Sequence, residues 1–264
     1  MSLIESLLLG LLQGATEFLP VSSSGHLVMA RFLFQIDSIP LLFDILLHLS
    51  TLVAVLLVFR RRILAIFVSL IHRIQRRTDE EDLVNLKLLM LIIVATVCTG
   101  VVGGALSYLD VQLYPKLVSS LFIVTGIVLI CTKFMHGTKQ YGRIGILEGV
   151  ATGLAQGIGV LPGISRSGIT IAAALATGVD REKAGEFSFL IAIPAVIGAT
   201  LLDIRRAGDL MDVVAPASLA AGMAAAFLSG LACLLLLLRL IKSGKLYLFS
   251  IYLIPLGVAL LFWY

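Results

Sequence analysis

Long apolar runs separated by short polar clusters set the rhythm of this chain. Five runs, 41–59, 88–106, 184–202, 213–238 and 246–264, reach or approach the length of about 20 residues that a helix needs to cross a hydrocarbon core. A sixth, 117–132, is shorter, but Lys116 and Lys133 flank it, and their long stems let the ammonium groups reach outward. Two further stretches, 2–34 and 145–179, are apolar overall yet interrupted midway by Pro, Gly and Ser. Each is too long for one helix and too broken for two full spans. A helix–loop–helix hairpin that enters and leaves on the same side suits both better. The predicted fold class is an all-α polytopic membrane protein with six transmembrane helices and two re-entrant helix hairpins, all in one membrane domain, residues 1–264.

Composition supports this. The chain is 59% hydrophobic and only 14% charged, where a soluble domain has about a quarter charged, and its mean hydropathy is +1.07. A soluble protein of this size cannot hide so much apolar surface, and disorder needs low hydrophobicity. The net charge of +4 raises the question of nucleic acid. The arginines sit in short clusters between apolar runs, however, which reads as cytoplasmic membrane flanks and no nucleic-acid partner. Cys98, Cys131 and Cys233 lie far apart inside apolar runs without metal-ligand spacing and read as small core residues. The apolar stretch 7–12 has no basic leader, carries Glu5, and is followed by no small-residue cleavage site, so it is expected to stay in the mature protein.

Lys and Arg set the expected orientation. With Arg60, Arg61, Arg62, Arg73, Arg76 and Arg77 inside, Lys133, Lys139, Arg143, Arg181, Lys183, Arg239, Lys242 and Lys245 fall on the cytoplasmic side with them, fourteen against four, Arg31, Lys116, Arg205 and Arg206, outside. That puts the first hairpin and both termini outside and the second hairpin inside. An internal repeat agrees: Ile4-Glu5 recurs as Leu147-Glu148, Gln13-Gly14 as Gln156-Gly157, Leu19-Pro20 as Leu161-Pro162, and Ser24-Gly25 as Ser167-Gly168. The halves are 1–135, hairpin 2–34 and three spans, and 144–264, hairpin 145–179 and three spans. Three spans between the hairpins make their entry faces opposite. This is an inverted-topology repeat, which places a polar site near the midplane.

Polar residues at membrane depth are costly and by default mark function. In the first hairpin, Gln13 and Glu17 are four apart and share a helix face, Pro20 breaks the helix, and Ser22, Ser23 and Ser24 open the next one, with His26 a turn further on. Free N–H groups at such a helix start face an anion. The second hairpin repeats the device with Pro162, Gly163, Ser165, Arg166, Ser167 and Thr170. An arginine amid apolar sequence needs an anionic partner, and its planar fork suits a phosphate. Pairing with Glu17 is the alternative. Asp44 and His48 share one face of a span and either line the same cavity or pair with each other. Glu5, Glu148 and Glu186 lie near helix ends, where solvation at the interface is expected.

Two blocks, Gln13 to His26 and Leu161 to Thr170 followed by Glu186 to Pro194, resemble those of the undecaprenyl-pyrophosphate phosphatase family, and the similarity runs over essentially the whole chain. The resemblance implies a plasma-membrane phosphatase that removes the terminal phosphate of a C55 polyprenyl diphosphate for peptidoglycan and envelope polysaccharide synthesis. It also implies dependence on a divalent cation, Mg²⁺ or Ca²⁺, and resistance to bacitracin, which meets the protein only through the substrate lipid. The family's first motif pairs Glu or Gln with Glu; here the first position is Gln13, which leaves Glu17 the only carboxylate of the pair. Matching positions place Glu17, Ser23, His26, Ser165, Arg166, Ser167 and Thr170 in the active site, opening on the external side. On chemical grounds Ser23 is the expected nucleophile, Glu17 the metal ligand or base, His26 an alternative acid or base, and Arg166 the phosphate clamp. Ser22, Ser24 and Gln13 complete the substrate-binding set. A homodimer is admitted but not required. From another class, a transporter or flippase for an anionic polyprenyl phosphate shares the expected architecture.

Overall fold

The structure, a computed structural model, describes residues 1–34, 41–203 and 214–264. Among them run ten α-helices: α1 (Leu3–Phe18), α2 (Ser23–Phe34), α3 (Leu41–Ile74), α4 (Glu80–Leu106), α5 (Pro115–Cys131), α6 (Ile146–Ile158), α7 (Arg166–Ala176), α8 (Arg181–Asp203), α9 (Pro216–Lys242) and α10 (Ser250–Trp263). Six of these, α3, α4, α5, α8, α9 and α10, are long and apolar enough to cross a membrane, α5 and α10 together with a flanking 3₁₀ turn. The four shorter helices fall in the two stretches that Pro and Gly interrupt. Asp37, Arg205, Arg206 and Val213, the expected start of the fifth span, lie outside the described residues.

One boundary differs plainly from expectation. The first span does not stop at Phe59; α3 runs 34 residues, through Arg60, Arg61 and Arg62. Arginine is a good helix former, and no Gly or Pro follows before Gln75. The chain turns at Arg76, which takes φ +58, and α4 starts at once behind a capping box between Asp79 and Asp82. Most of the expected loop 60–87 is therefore helix. Arg62 within it is paired: its Nε donates to Glu186 Oε1 at 2.6 Å and its Nη1 to Asn85 Oδ1 at 3.2 Å. Lys183 reaches the same Glu186 at 3.2 Å, so Glu186 is held by two cations instead of by water. Tyr141 lies between Arg62 and Lys183, and burial pushes its hydroxyl well above the ordinary tyrosine pKa.

Glu148 also departs from interfacial solvation. It is buried, accepts from the Gly145 N–H at 2.6 Å to cap α6, and pairs with Lys139 at 2.7 Å. Glu5 is exposed and closes the capping box of α1 with Ser2. The cysteines are not core: Cys98 and Cys233 are half-buried, Cys131 is exposed, and all three are free.

Small residues decide how the short helices pack. α1 lies along α9, where a Cβ on Gly10 or Gly14 would strike the α9 backbone at Gly222 and Ala226. α6 lies along α4 in the same manner, with Gly153 and Gly157 against Ala95 and Val102. Close backbone approach through small residues spaced by four is the usual means of association for helices in lipid. Leu9, Phe43, Leu47 and Ala226 pack around the α1–α9 contact. The larger core joins Phe18, Val21, Phe122, Ile171, Phe189 and Leu234 between the two short-helix pairs. Val97, Val101, Leu228 and Phe262 stay more than half exposed, an apolar outer surface that suits a bilayer.

Candidate active site

Both helix breaks are built by backbone that few residues accept. Ser22 takes φ +69 and Gly163 φ +96, the left-handed region where only glycine is free of strain. The two turns meet. Ser22 Oγ accepts from the Gly163 N–H at 3.0 Å, and Ser167 Oγ donates to the Phe18 carbonyl at 2.9 Å. Thr125 of α5 donates to the Gly163 carbonyl at 2.9 Å and accepts from the Ser165 N–H at 3.2 Å. Ser165 caps α7 through the Gly168 N–H at 3.1 Å, and Thr170 Oγ1 donates to the Arg166 carbonyl at 2.8 Å. These hydroxyls hold the starts of α2 and α7 opposite one another. The first-turn N–H groups of Ser23, Ser24, Arg166 and Ser167 make no hydrogen bond among the described residues, as helix starts require.

Between the two starts opens a cavity lined by Glu17, Ser22 to Ser24, His48, Ser165 and Arg166. Glu17 is its centre, with a side chain only 5% exposed. Its Oε2 accepts from Ser23 Oγ at 2.7 Å and from Gln13 Nε2 at 3.0 Å, and its Oε1 takes Arg166 Nη2. A buried carboxylate is tolerable only when paired and hydrogen-bonded in this way. The Glu17 pairing weighed for Arg166 is present through one Nη, while its remaining N–H groups line the cavity without a protein acceptor among the described residues. Gln13 is fully buried, and its Oε1 has no hydrogen-bond partner among the described residues. Ser167 and Thr170 line a narrower cavity on the far side of Arg166, beside Glu17 and His48.

His26 sits elsewhere than expected. Its Nδ1 meets the Ser22 carbonyl at 2.8 Å and its Nε2 the Tyr252 hydroxyl at 2.7 Å. Its ring stacks on Tyr252 of α10 and stands edge-on to Phe122. It supports the Ser22 turn from behind and touches neither Glu17 nor Ser23. The imidazole that does reach Glu17 is His48, with Nε2 3.6 Å from Oε2. Both readings of the Asp44–His48 pair hold, since His48 Nδ1 lies 3.0 Å from the Asp44 carbonyl and 4.0 Å from its Oδ1. No sequence signal ranked His48 above His26; both are single histidines on apolar faces.

The chemistry is one-sided. Gln156, the repeat counterpart of Gln13, donates to Thr99 at 3.1 Å and to the Ile191 carbonyl at 3.2 Å, and its i+4 neighbour is Val160. α1 brings the carboxylate and α7 the arginine.

An all-helical, multi-pass membrane protein whose two broken helices gather a carboxylate, hydroxyls and a half-free arginine is an anion-handling membrane protein. Residues 6–259 match the family described as bacitracin resistance protein BacA, and the chain belongs to that family. It is similar to the undecaprenyl-diphosphatase of Treponema denticola, with 48% identity covering 98% of this chain and 97% of that protein. The undecaprenyl-diphosphatases of Desulfosudis oleivorans, 43% identical over 96% of both chains, and Borreliella burgdorferi, 38% identical over 97% and 96%, are also similar.

Proposed function

We propose that this chain is an undecaprenyl-diphosphatase, which hydrolyses the terminal phosphate of a C55 polyprenyl diphosphate and leaves the monophosphate carrier. Family membership supports the activity. The observation that carries the site assignment is the Ser23–Glu17–Arg166 row in one cavity. Ser23 Oγ attacks the terminal phosphorus as its proton passes to Glu17 Oε2, and the bond from phosphorus to the bridging oxygen breaks to release the lipid monophosphate. Water then cleaves the phosphoserine, returning Ser23 and giving inorganic phosphate. Arg166 and the helix-start N–H groups neutralise charge on the transferring oxygens, where most of the catalysis of phosphoryl transfer lies. His26 serves by holding the Ser22 turn.

The donor set around Glu17 suits a hard divalent cation. Glu17 and Ser23 Oγ are oxygen donors lining the cavity, and Mg²⁺ typically takes one or two carboxylates and completes its shell with substrate phosphate and water. When bound, such a cation would supply charge neutralisation on the diphosphate. Among the described residues no three His, Cys, Asp or Glu gather into an all-protein metal site, which favours an ion shared with substrate.

The helix pairs α1–α2 and α6–α7 are re-entrant hairpins of an inverted repeat. Support comes from reciprocal packing: α1 of the first half lies on α9 of the second, and α6 of the second on α4 of the first, while α3 meets α8 and α5 meets α10. Those are the pairs a twofold axis in the membrane plane generates. By the Lys and Arg distribution the site faces outward.

Phosphate release from polyprenyl diphosphate by purified protein in detergent tests the activity. Detergent abolishes transport but not hydrolysis, so absence of release points to the flippase instead.

A further inference from the structure

α5 belongs to neither broken helix, yet it holds the turn from which Arg166 projects. Hydroxyls within apolar helices commonly donate to their own helix, one turn back. Thr96 does so to the Ile92 carbonyl at 2.7 Å, Ser119 to Pro115 at 2.8 Å and Ser120 to Lys116 at 2.9 Å. Thr125, only 3% exposed, does not. Its Oγ1 donates across to the Gly163 carbonyl at 2.9 Å and accepts from the Ser165 N–H at 3.2 Å. One hydroxyl thus bridges two backbone groups of the same turn, and neither group has another partner among the described residues. The turn is also seated closely on α5: a Cβ on Gly163 would strike the Val118 carbonyl and the Leu121 side chain. Arg166 follows Ser165 directly and opens α7, so its aim depends on where that bridge fixes the backbone.

We propose that Thr125 is a positioning residue for the reaction: its hydroxyl pins the turn from Gly163 to Ser165 on α5 and so aims Arg166 at the substrate phosphate. This rests on the reading of Arg166 as the phosphate clamp. Thr125 itself does not line the cavity between the two helix starts, and it makes and breaks no covalent bond. Without the hydroxyl, a buried carbonyl and a buried N–H lose their partner together, and the turn must shift to find others. A small displacement of a group that grips reacting oxygens is costly even when its cause lies outside the site. Ser22 Oγ still accepts from the Gly163 N–H, so the two turns stay joined and the loss falls on aim.

The test is phosphate release from C55 polyprenyl diphosphate by the purified full chain in detergent, with single-turnover runs at excess enzyme to resolve slow variants. Thr125→Val, which keeps the shape and removes the hydroxyl, is expected to lower kcat/KM by roughly 10- to 100-fold. Thr125→Ser keeps the hydroxyl and stays within about threefold of wild type. The same Thr125→Val change made in an Arg166→Ala background costs less than about threefold more, because no guanidinium is left to aim. A purely structural threonine would impose the same factor in both backgrounds. Where Thr125→Val does not fold, Thr125→Cys, with a weak S–H donor in the same place, is read instead. Wild-type kcat/KM in Thr125→Val, equal losses in the two backgrounds, or a Thr125→Ser enzyme as impaired as Thr125→Val overturns the role of Thr125. No release by wild type, or full release by Arg166→Ala, overturns instead the reading of the site.

Discussion

Ser23 and His26 lie three residues apart on one helix, yet the structure gives them different work. Ser23 Oγ touches Glu17, whereas His26 spends both ring nitrogens on the Ser22 carbonyl and Tyr252. Ser23→Ala is therefore expected to lower kcat by several orders of magnitude, as removal of a nucleophile does. His26→Gln acts through the Ser22 turn and costs no more than about 10²-fold. Steady-state kinetics in detergent check both, and near-normal turnover of Ser23→Ala refutes the serine mechanism. On the proposed mechanism Arg166 carries two duties that a lysine separates. Lysine retains a cation for Glu17, so Arg166→Lys keeps its thermal stability. It cannot also grip two phosphate oxygens through a planar fork, and kcat/KM falls by roughly 10²-fold or more. Arg166→Ala loses both. Full activity in Arg166→Lys shows that bulk charge alone matters.

Elements are placed here by what is missing from them. α1 carries Gly10 and Gly14 where it crosses α9, and α6 carries Gly153 and Gly157 where it crosses α4. Gly14→Leu inserts a side chain into the α9 backbone and should cost about 1–3 kcal/mol or more by overpacking. It should also move Glu17, three residues on, and so reduce turnover. Gly104→Ala on α4, with open space around it, is the control and leaves thermal unfolding in detergent unchanged or slightly improved. Equal stability of the two variants removes the packing argument. The glycine spacing was visible in the sequence as part of the repeat, but the partner of each helix was not. Periodicity reports which face of a helix is small or apolar and says nothing about which other helix receives it.

At the scale of the whole molecule, the proposed inverted arrangement predicts sidedness. In a background without Cys98, Cys131 and Cys233, a cysteine at Asp37 is expected to react with an impermeant thiol reagent added outside, and one at Gln75 only after permeabilisation. Labelling at Gln75 from outside overturns the topology. The proposed shared-cation site predicts that a chelator abolishes phosphate release and that Mg²⁺ or Ca²⁺ restores it; release that persists in excess chelator removes the cation from the reaction. Thermal unfolding of the substrate-free protein should be nearly indifferent to the chelator, because Glu17 is already held by Arg166, Gln13 and Ser23.

The length of each apolar run, the two helix breaks at Pro20 and Pro162, and the gathering of Glu17, Ser23 and Arg166 as the expected site were all readable along the chain. Each depends on local chemistry: a span on hydrocarbon thickness, a break on a missing N–H, a buried charge on its need for a partner. Where α3 ends was misjudged, because arginines mark an interface without interrupting a helix. The fates of Glu148 and Glu186 were missed for a related reason: their cations, Lys139 and the pair Arg62 and Lys183, are supplied by packing. The exchange of prominence between His26 and His48 was decided only in three dimensions. Which of two equivalent imidazoles meets a carboxylate depends on how α2, α3 and α10 are set around one cavity, and no spacing within a single helix encodes that.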